Sequence, residues 1–153
     1  MPLIYLDVCC LCRPFDSQTQ ERVRLESEAV LSIIEQCQSR RQWQLLSSQI
    51  IKFEVFKMPD HDHRNRVRLA LEKACLNVQL TTEVEARAVE LQEMGFKAYD
   101  SLHVACAEIG FADVMLTTDD RLLKRAKRFR SELSVRIENP VIWLMEILGN
   151  EET

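Results

Sequence analysis

The residues of this chain with the clearest chemical use are acids set into apolar surroundings. Asp7 ends the apolar run "LIYLDV", and Glu54 lies among Ile50, Ile51, Phe53 and Val55. Asp100 opens "YDSLHVACAEIG" on a helix face it shares with Val104 and Ala107, while Asp119 and Asp120 follow the apolar "ADVMLTT". Burying an unpaired carboxylate is costly, so each such acid needs a cation or several donors. One could be met by a Lys or Arg; two, together with aspartates at strand ends, ask for a shared cation. Oxygen donors without converging His or Cys suit Mg²⁺ or Mn²⁺ better than zinc. Such an ion holds and orients a phosphate and acidifies an attacking water, and a pair of ions clamps both oxygens of an in-line displacement. Each acid also has a plainer use. Asp119 or Asp120 can cap the next helix, and Asp100 can sit in a first turn where the dipole favours it by about 0.3–1 kcal/mol.

A second cluster is basic. Arg121, Lys124, Arg125 and Arg128 recur at intervals of 3, 1 and 3 and share a helix face, with Lys127 and Arg130 to its side. Beside an acidic pocket they could hold the flanking phosphates that the acids repel; alone, they read as a solvated face with Leu122, Leu123 and Ala126 turned inward. Other chemistries fail on spacing. Three glycines, none near a strand end, are too few for a dinucleotide-binding turn or a phosphate loop, and no Gly-x-Ser-x-Gly elbow occurs. His61, Asp62 and His63 sit in a polar stretch after Pro59 and are expected to face water. The six cysteines read as reduced thiols, those after Asp7 the most exposed, and Cys9 and Cys10 lack a histidine partner that would make them nucleophiles.

The elements that must position these residues follow from pattern. "LIYLDV", "QWQLLSS", "ADVMLTT" and "LSVRI" read as short buried strands, the first delivering Asp7 to its carboxyl edge. "CCLCRPFDSQ" reads as a loop barred from helix by Pro14. Asp16 or Ser17 would cap a helix with the stripe Val23, Val30, Ile33, Ile34 and Cys37. Ser47 or Ser48 would cap the Glu54 helix, and Asp62 would start another reaching toward Asn77. Thr82 with Glu85 makes a capping box, Gly95 and Gly110 mark helix ends, and Asn139-Pro140 opens the last helix. Strands alternating with helices argue an α/β domain around a mostly parallel sheet of four to five strands. The 153 residues, 46% apolar and 29% charged, suit a single domain spanning residues 1–153. No run approaches a membrane span or a secretory signal, so a cytoplasmic location is expected. A net charge of −4 does not exclude nucleic acid, because phosphate contacts depend on local clusters.

Taken in order, "IYLDV", "IIKFEVF", "YDSLHVACA" and "LTTDDRLL" resemble the PIN-domain family, and within it the VapC-like toxin ribonucleases. The resemblance runs over the whole chain. It implies an α/β/α sandwich with an acidic pocket above the sheet, and a hydrolase that cleaves RNA with Mg²⁺ or Mn²⁺. It carries Asp7, Glu54, Asp100 and Asp119 over as metal-binding, catalytic acids, converging on one accessible cavity, and Thr117 as a supporting hydroxyl. It further implies a homodimer and a small antitoxin partner. One departure is that Val8 and Cys9 stand where many members have Thr and then Asn or Ser. That departure leaves an alternative: a catalytically weak PIN-like domain that binds RNA or a protein partner.

Overall fold

A computed structural model describes residues 1–40, 42–72, 74 and 76–151, the side chain of residue 151 excepted. Five strands form one sheet: β1 (Leu3–Leu6), β2 (Gln44–Ser48), β3 (Leu76–Val78), β4 (Val114–Leu116) and β5 (Arg136–Glu138). Their order is β3-β2-β1-β4-β5, and every pairing is parallel. The chain steps outward from β1 to β2 to β3, then crosses the sheet to β4 and β5. Right-handed crossovers running in opposite directions place helices on both faces, which is the expected α/β/α layering. The direction reverses between β1 and β4, and outside the carboxyl ends of such neighbours an α/β sheet forms its ligand crevice.

The helices are α1 (Val8–Cys12), α2 (Glu21–Gln38), α3 (Gln49–Phe56), α4 (His61–Leu71), α5 (Thr82–Glu93), α6 (Ala98–Ile109), α7 (Asp120–Arg128) and α8 (Pro140–Glu151). The core joins the strand residues Ile4, Tyr5, Leu6, Leu46, Met115 and Leu116 to Val30 and Ile33 of α2, Ile51 of α3, Leu91 of α5 and Val104 of α6. Among the described residues no helix is long and apolar enough to cross a membrane.

Several local expectations need correction. The loop after Asp7 contains α1, capped by Asp7 itself, and Pro14 lies in a 3₁₀ turn, Arg13–Phe15. Proline fits the start of a helical turn, where its missing N–H costs nothing. α2 starts at Glu21 after Gln20, with no side-chain cap from Asp16 or Ser17. Asp60, not Asp62, caps α4 by accepting from the Asp62 and His63 amides. α4 stops at Leu71, and the stretch read as its continuation holds β3. Thr81, one residue before the expected box, caps α5 through the Val84 amide. Cys10 is fully buried, against the expectation that the cysteines after Asp7 are exposed. Cys75 lies outside the described residues.

Two glycines have steric reasons. Gly95, at the end of α5, has φ +101°, and a Cβ there would collide with the Arg125 guanidinium. At Gly110 a Cβ would stand 2.5 Å from Leu46 Cδ2 and 2.8 Å from Val78 Cγ2, so glycine lets α6 end against the sheet.

Candidate functional site

Asp7 and Asp119 follow the adjacent strands β1 and β4, and the ladder continues past both: the Asp7 amide donates to the Leu116 carbonyl at 3.0 Å. Asp7 is buried, and its Oδ1 caps α1 through the Val8 amide at 2.8 Å. Its Oδ2 accepts from Thr117 Oγ1 at 3.0 Å and from the Cys9 thiol at 3.3 Å. Thr117 is fully buried and also accepts the Asp119 amide at 3.1 Å, so a single hydroxyl fixes the first and last acids relative to each other. Asp119 is the N-cap of α7, its Oδ1 accepting from the Arg121 and Leu122 amides. Cys9 adds further polar contacts to this cluster. Its sulfur lies 3.2 Å from Thr117 Oγ1 and accepts the Thr118 amide at 3.4 Å.

Asp100 sits in the first turn of α6. Burial pushes its carboxyl from the ordinary 3.8 up to about 6, and the charges of Asp7 and Asp119 push the same way. His103 and Lys97 oppose them without reversing the shift. Three of the four expected acids therefore share one electrostatic neighbourhood.

The fourth, Glu54, meets this neighbourhood through His103. Glu54 Oε1 lies 2.5 Å from His103 Nε2, whose ring is buried and whose Nδ1 is 2.6 Å from the Tyr5 hydroxyl. Tyr5 in turn bonds Ser48 Oγ at 2.7 Å, and Ser48 caps α3 through the Ile51 amide. With Glu54 ionised, Nε2–H donates to it and a neutral ring accepts the Tyr5 proton on Nδ1. Burial works against a charged imidazole. The Glu54 hydrogen bond and the charges of Asp7, Glu54 and Asp100 outweigh it, so the His103 pKa is raised. The same Nε2 is 3.7 Å from Asp7 Oδ1, which places a protonatable ring between two of the acids. Pattern reading quoted His103 but gave it no role, and it overlooked Tyr5. A histidine three residues after an acid on an otherwise apolar helix face was the available signal.

The basic face of α7 is brought to the acids. Arg121, Lys124, Arg125 and Arg128 line a cavity of about 400 Å³ together with Lys97 and Asp100. Arg125 is held there by donating to the Met94 carbonyl at 3.2 Å. Of the four acids only Asp100 walls this cavity, so the expectation of one cavity shared by all four is met in part. Asp120 is not in the cluster. It faces Arg22 at 2.7 Å, and that guanidinium holds its carboxyl below the usual range. His63 stacks on Phe15, with ring centroids 4.4 Å apart.

Asp7, Asp100 and Asp119 are oxygen donors of the kind Mg²⁺ and Mn²⁺ select. Among the described residues no three His, Cys, Asp or Glu side chains already stand close enough to hold an ion. The fit is therefore one of donor type and of uncompensated charge, not of a finished coordination shell.

No family model and no curated protein matches this sequence. Solved structures do. One is VapBC2 from Rickettsia felis, determined with a DNA fragment from its promoter, at TM-score 0.54 and 12% identity over 90% of this chain and 98% of that one. Another is VapBC-1 from nontypeable Haemophilus influenzae, at TM-score 0.53 and 14% identity with the same coverage. At such identities the likeness speaks for the fold alone, the parallel five-stranded sheet with its helices. In fold, this chain is similar to these VapBC structures, in line with the α/β/α sandwich that its motifs led us to expect.

Proposed function

We propose that this protein is a divalent-metal-dependent endoribonuclease, the toxin of a toxin–antitoxin pair acting in the cytoplasm. The observation that carries the reading is Asp100: a partly buried carboxyl raised to about 6 beside the charges of Asp7 and Asp119, a shift that His103 and Lys97 oppose without reversing. Such a group gains by acquiring a cation. Asp7, Asp100 and Asp119 would hold Mg²⁺ or Mn²⁺, which when bound supplies a Lewis acid for phosphate and a more acidic water. The chain's own residues do the rest. Thr117 and Cys9 orient Asp7; Thr117 also fixes the Asp119 backbone. His103 holds Glu54 in place and limits its negative charge, giving Glu54 an indirect part. Arg121, Lys124, Arg125 and Arg128 contact phosphates of the strand next to Asp100, which positions RNA without reading its bases.

The VapBC structures of like fold support a small antitoxin as partner, and the resemblance suggests a homodimer. A second reading is a catalytically weak domain that binds RNA or protein. It draws on one observation: the Glu54 carboxylate is already tied to His103. Cleavage separates the two. A panel of structured RNAs incubated with Mg²⁺ or Mn²⁺ should be cut by the parent protein and left intact by Asp100→Asn, with RNA affinity kept or increased. Retention of every RNA without cutting by the parent would favour the binding domain.

A further inference from the structure

Away from the acids, Ser47 on β2 and Asn77 on β3 stand side by side in register, so their side chains project from the same face of the sheet. Ser47 is only 1% exposed. Its Oγ and the Asn77 Oδ1 are both buried, and neither has a hydrogen-bond partner among the described residues. Folded proteins leave few such groups unsatisfied. Both line a cavity of about 970 Å³ whose walls include residues of α3 and α4. Phe56, 78% exposed, stands at its rim. Lys52, Arg64 and Arg68 also line it, against the single acid Glu72. Arg64 bonds His61, whereas the side chains of Lys52 and Arg68 have no ion-pair or hydrogen-bond partner among the described residues.

We propose that this cavity is a binding site for a nucleoside phosphate. An unpaired amide oxygen beside an unpaired hydroxyl matches the edge of a nucleobase, which offers an N–H next to an acceptor. The partnerless cations suit the phosphate, with the Arg68 guanidinium able to bind it through two N–H groups. Phe56 offers a face on which the base can stack. An aliphatic carboxylate or a bare phosphate would answer the cations and accept from Ser47, but would offer no donor to Asn77 Oδ1. The nucleoside phosphate is a free mononucleotide or one residue of an RNA strand. The inference does not depend on the nuclease reading, since it uses none of the four acids.

Calorimetric titration of the whole protein in EDTA tests it, using the four ribonucleoside 5′-monophosphates and a short single-stranded oligoribonucleotide. At least one mononucleotide should bind, and Asn77→Ala should abolish the binding. Arg68→Ala, an exposed change that spares the fold, should weaken it about tenfold, the size of one charge-assisted hydrogen bond. Binding of the oligonucleotide alone, with the same Arg68 sensitivity, would assign the site to a residue of an RNA strand. Absence of binding to any probe, or affinity unchanged by Arg68→Ala, would overturn the proposal. So would a dimer that Phe56→Ala disperses in a protein that binds no nucleotide, because the cavity would then be an interface between copies.

Discussion

Carboxylates withdrawn from solvent in two parts of this fold have opposite surroundings. Glu26 of α2 is 1% exposed and saturated with donors. Arg13 reaches its Oε1 at 2.6 and 2.8 Å, and Arg22 and Asn139 reach its Oε2 at 3.2 and 2.7 Å. Asp7 and Asp119 receive hydroxyl, thiol and backbone N–H donors but no guanidinium, and Asp100 stands beside their charges. The first group ties α2 to the turn after α1 and to the start of α8, and its charge is spent. In the second, burial and then the neighbouring negative charges shift one carboxyl upward. Burial of an acid is thus no sign of function by itself; what separates a structural acid from a ligand is whether the protein supplies its cation.

The largest effect should fall on the structural side. Glu26→Ala leaves Arg13 and Arg22 facing a buried gap and should cost about 3–5 kcal/mol in urea unfolding, the usual cost of breaking a buried ion pair. A loss below about 1 kcal/mol would mean that this network is no keystone, and the comparison would fail on that side.

Asp100→Asn should move stability the other way in metal-free protein. A folded-state pKa of about 6 against an ordinary 3.8 means that the folded chain binds more protons between those values. Stability therefore falls as pH rises through that window. The shift corresponds to about 3 kcal/mol at 1.36 kcal/mol per unit, and screening at this half-exposed position reduces it to about 1 kcal/mol. Melting in EDTA from pH 4 to pH 7 should show the parent losing ground relative to Asp100→Asn. Parallel curves would remove the strain attributed to the acidic cluster.

A smaller effect belongs to α7. Arg121→Ala/Lys124→Ala spares Arg125, which also anchors the Met94 carbonyl. The pair should weaken binding to every RNA sequence and flatten its salt dependence by about 0.7 in log–log slope per lost phosphate contact. If the same face grips an acidic antitoxin segment instead, the slope for RNA will stay as in the parent while antitoxin binding weakens.

Much of this contrast was legible in the chain. Apolar runs ending in acids marked β1 and β4, and Ser48, Asp119 and Asn139 cap the helices they precede. The basic spacing in α7 predicted a shared face, and its four residues do line one cavity. What stayed hidden depended on contacts distant in sequence or on very short elements. β3 has three residues with Leu76 exposed, too few to display a period of two. α1 has five residues, and its cap is an acid already assigned another task. Glu26 looks like any polar residue of an amphipathic helix, since the partners that bury it come from Arg13 and Asn139, 13 and 113 positions away. The Tyr5–His103–Glu54 chain spans three elements in the same way.

The most direct test of the central claim is calorimetric titration of metal-stripped protein with Mn²⁺, comparing Asp7→Asn with Asp120→Asn. Asp120 is a neighbouring acid already paired with Arg22. The account predicts that the parent and Asp120→Asn bind Mn²⁺ alike and that Asp7→Asn binds it far more weakly. Equal Mn²⁺ binding by Asp7→Asn and the parent would contradict it.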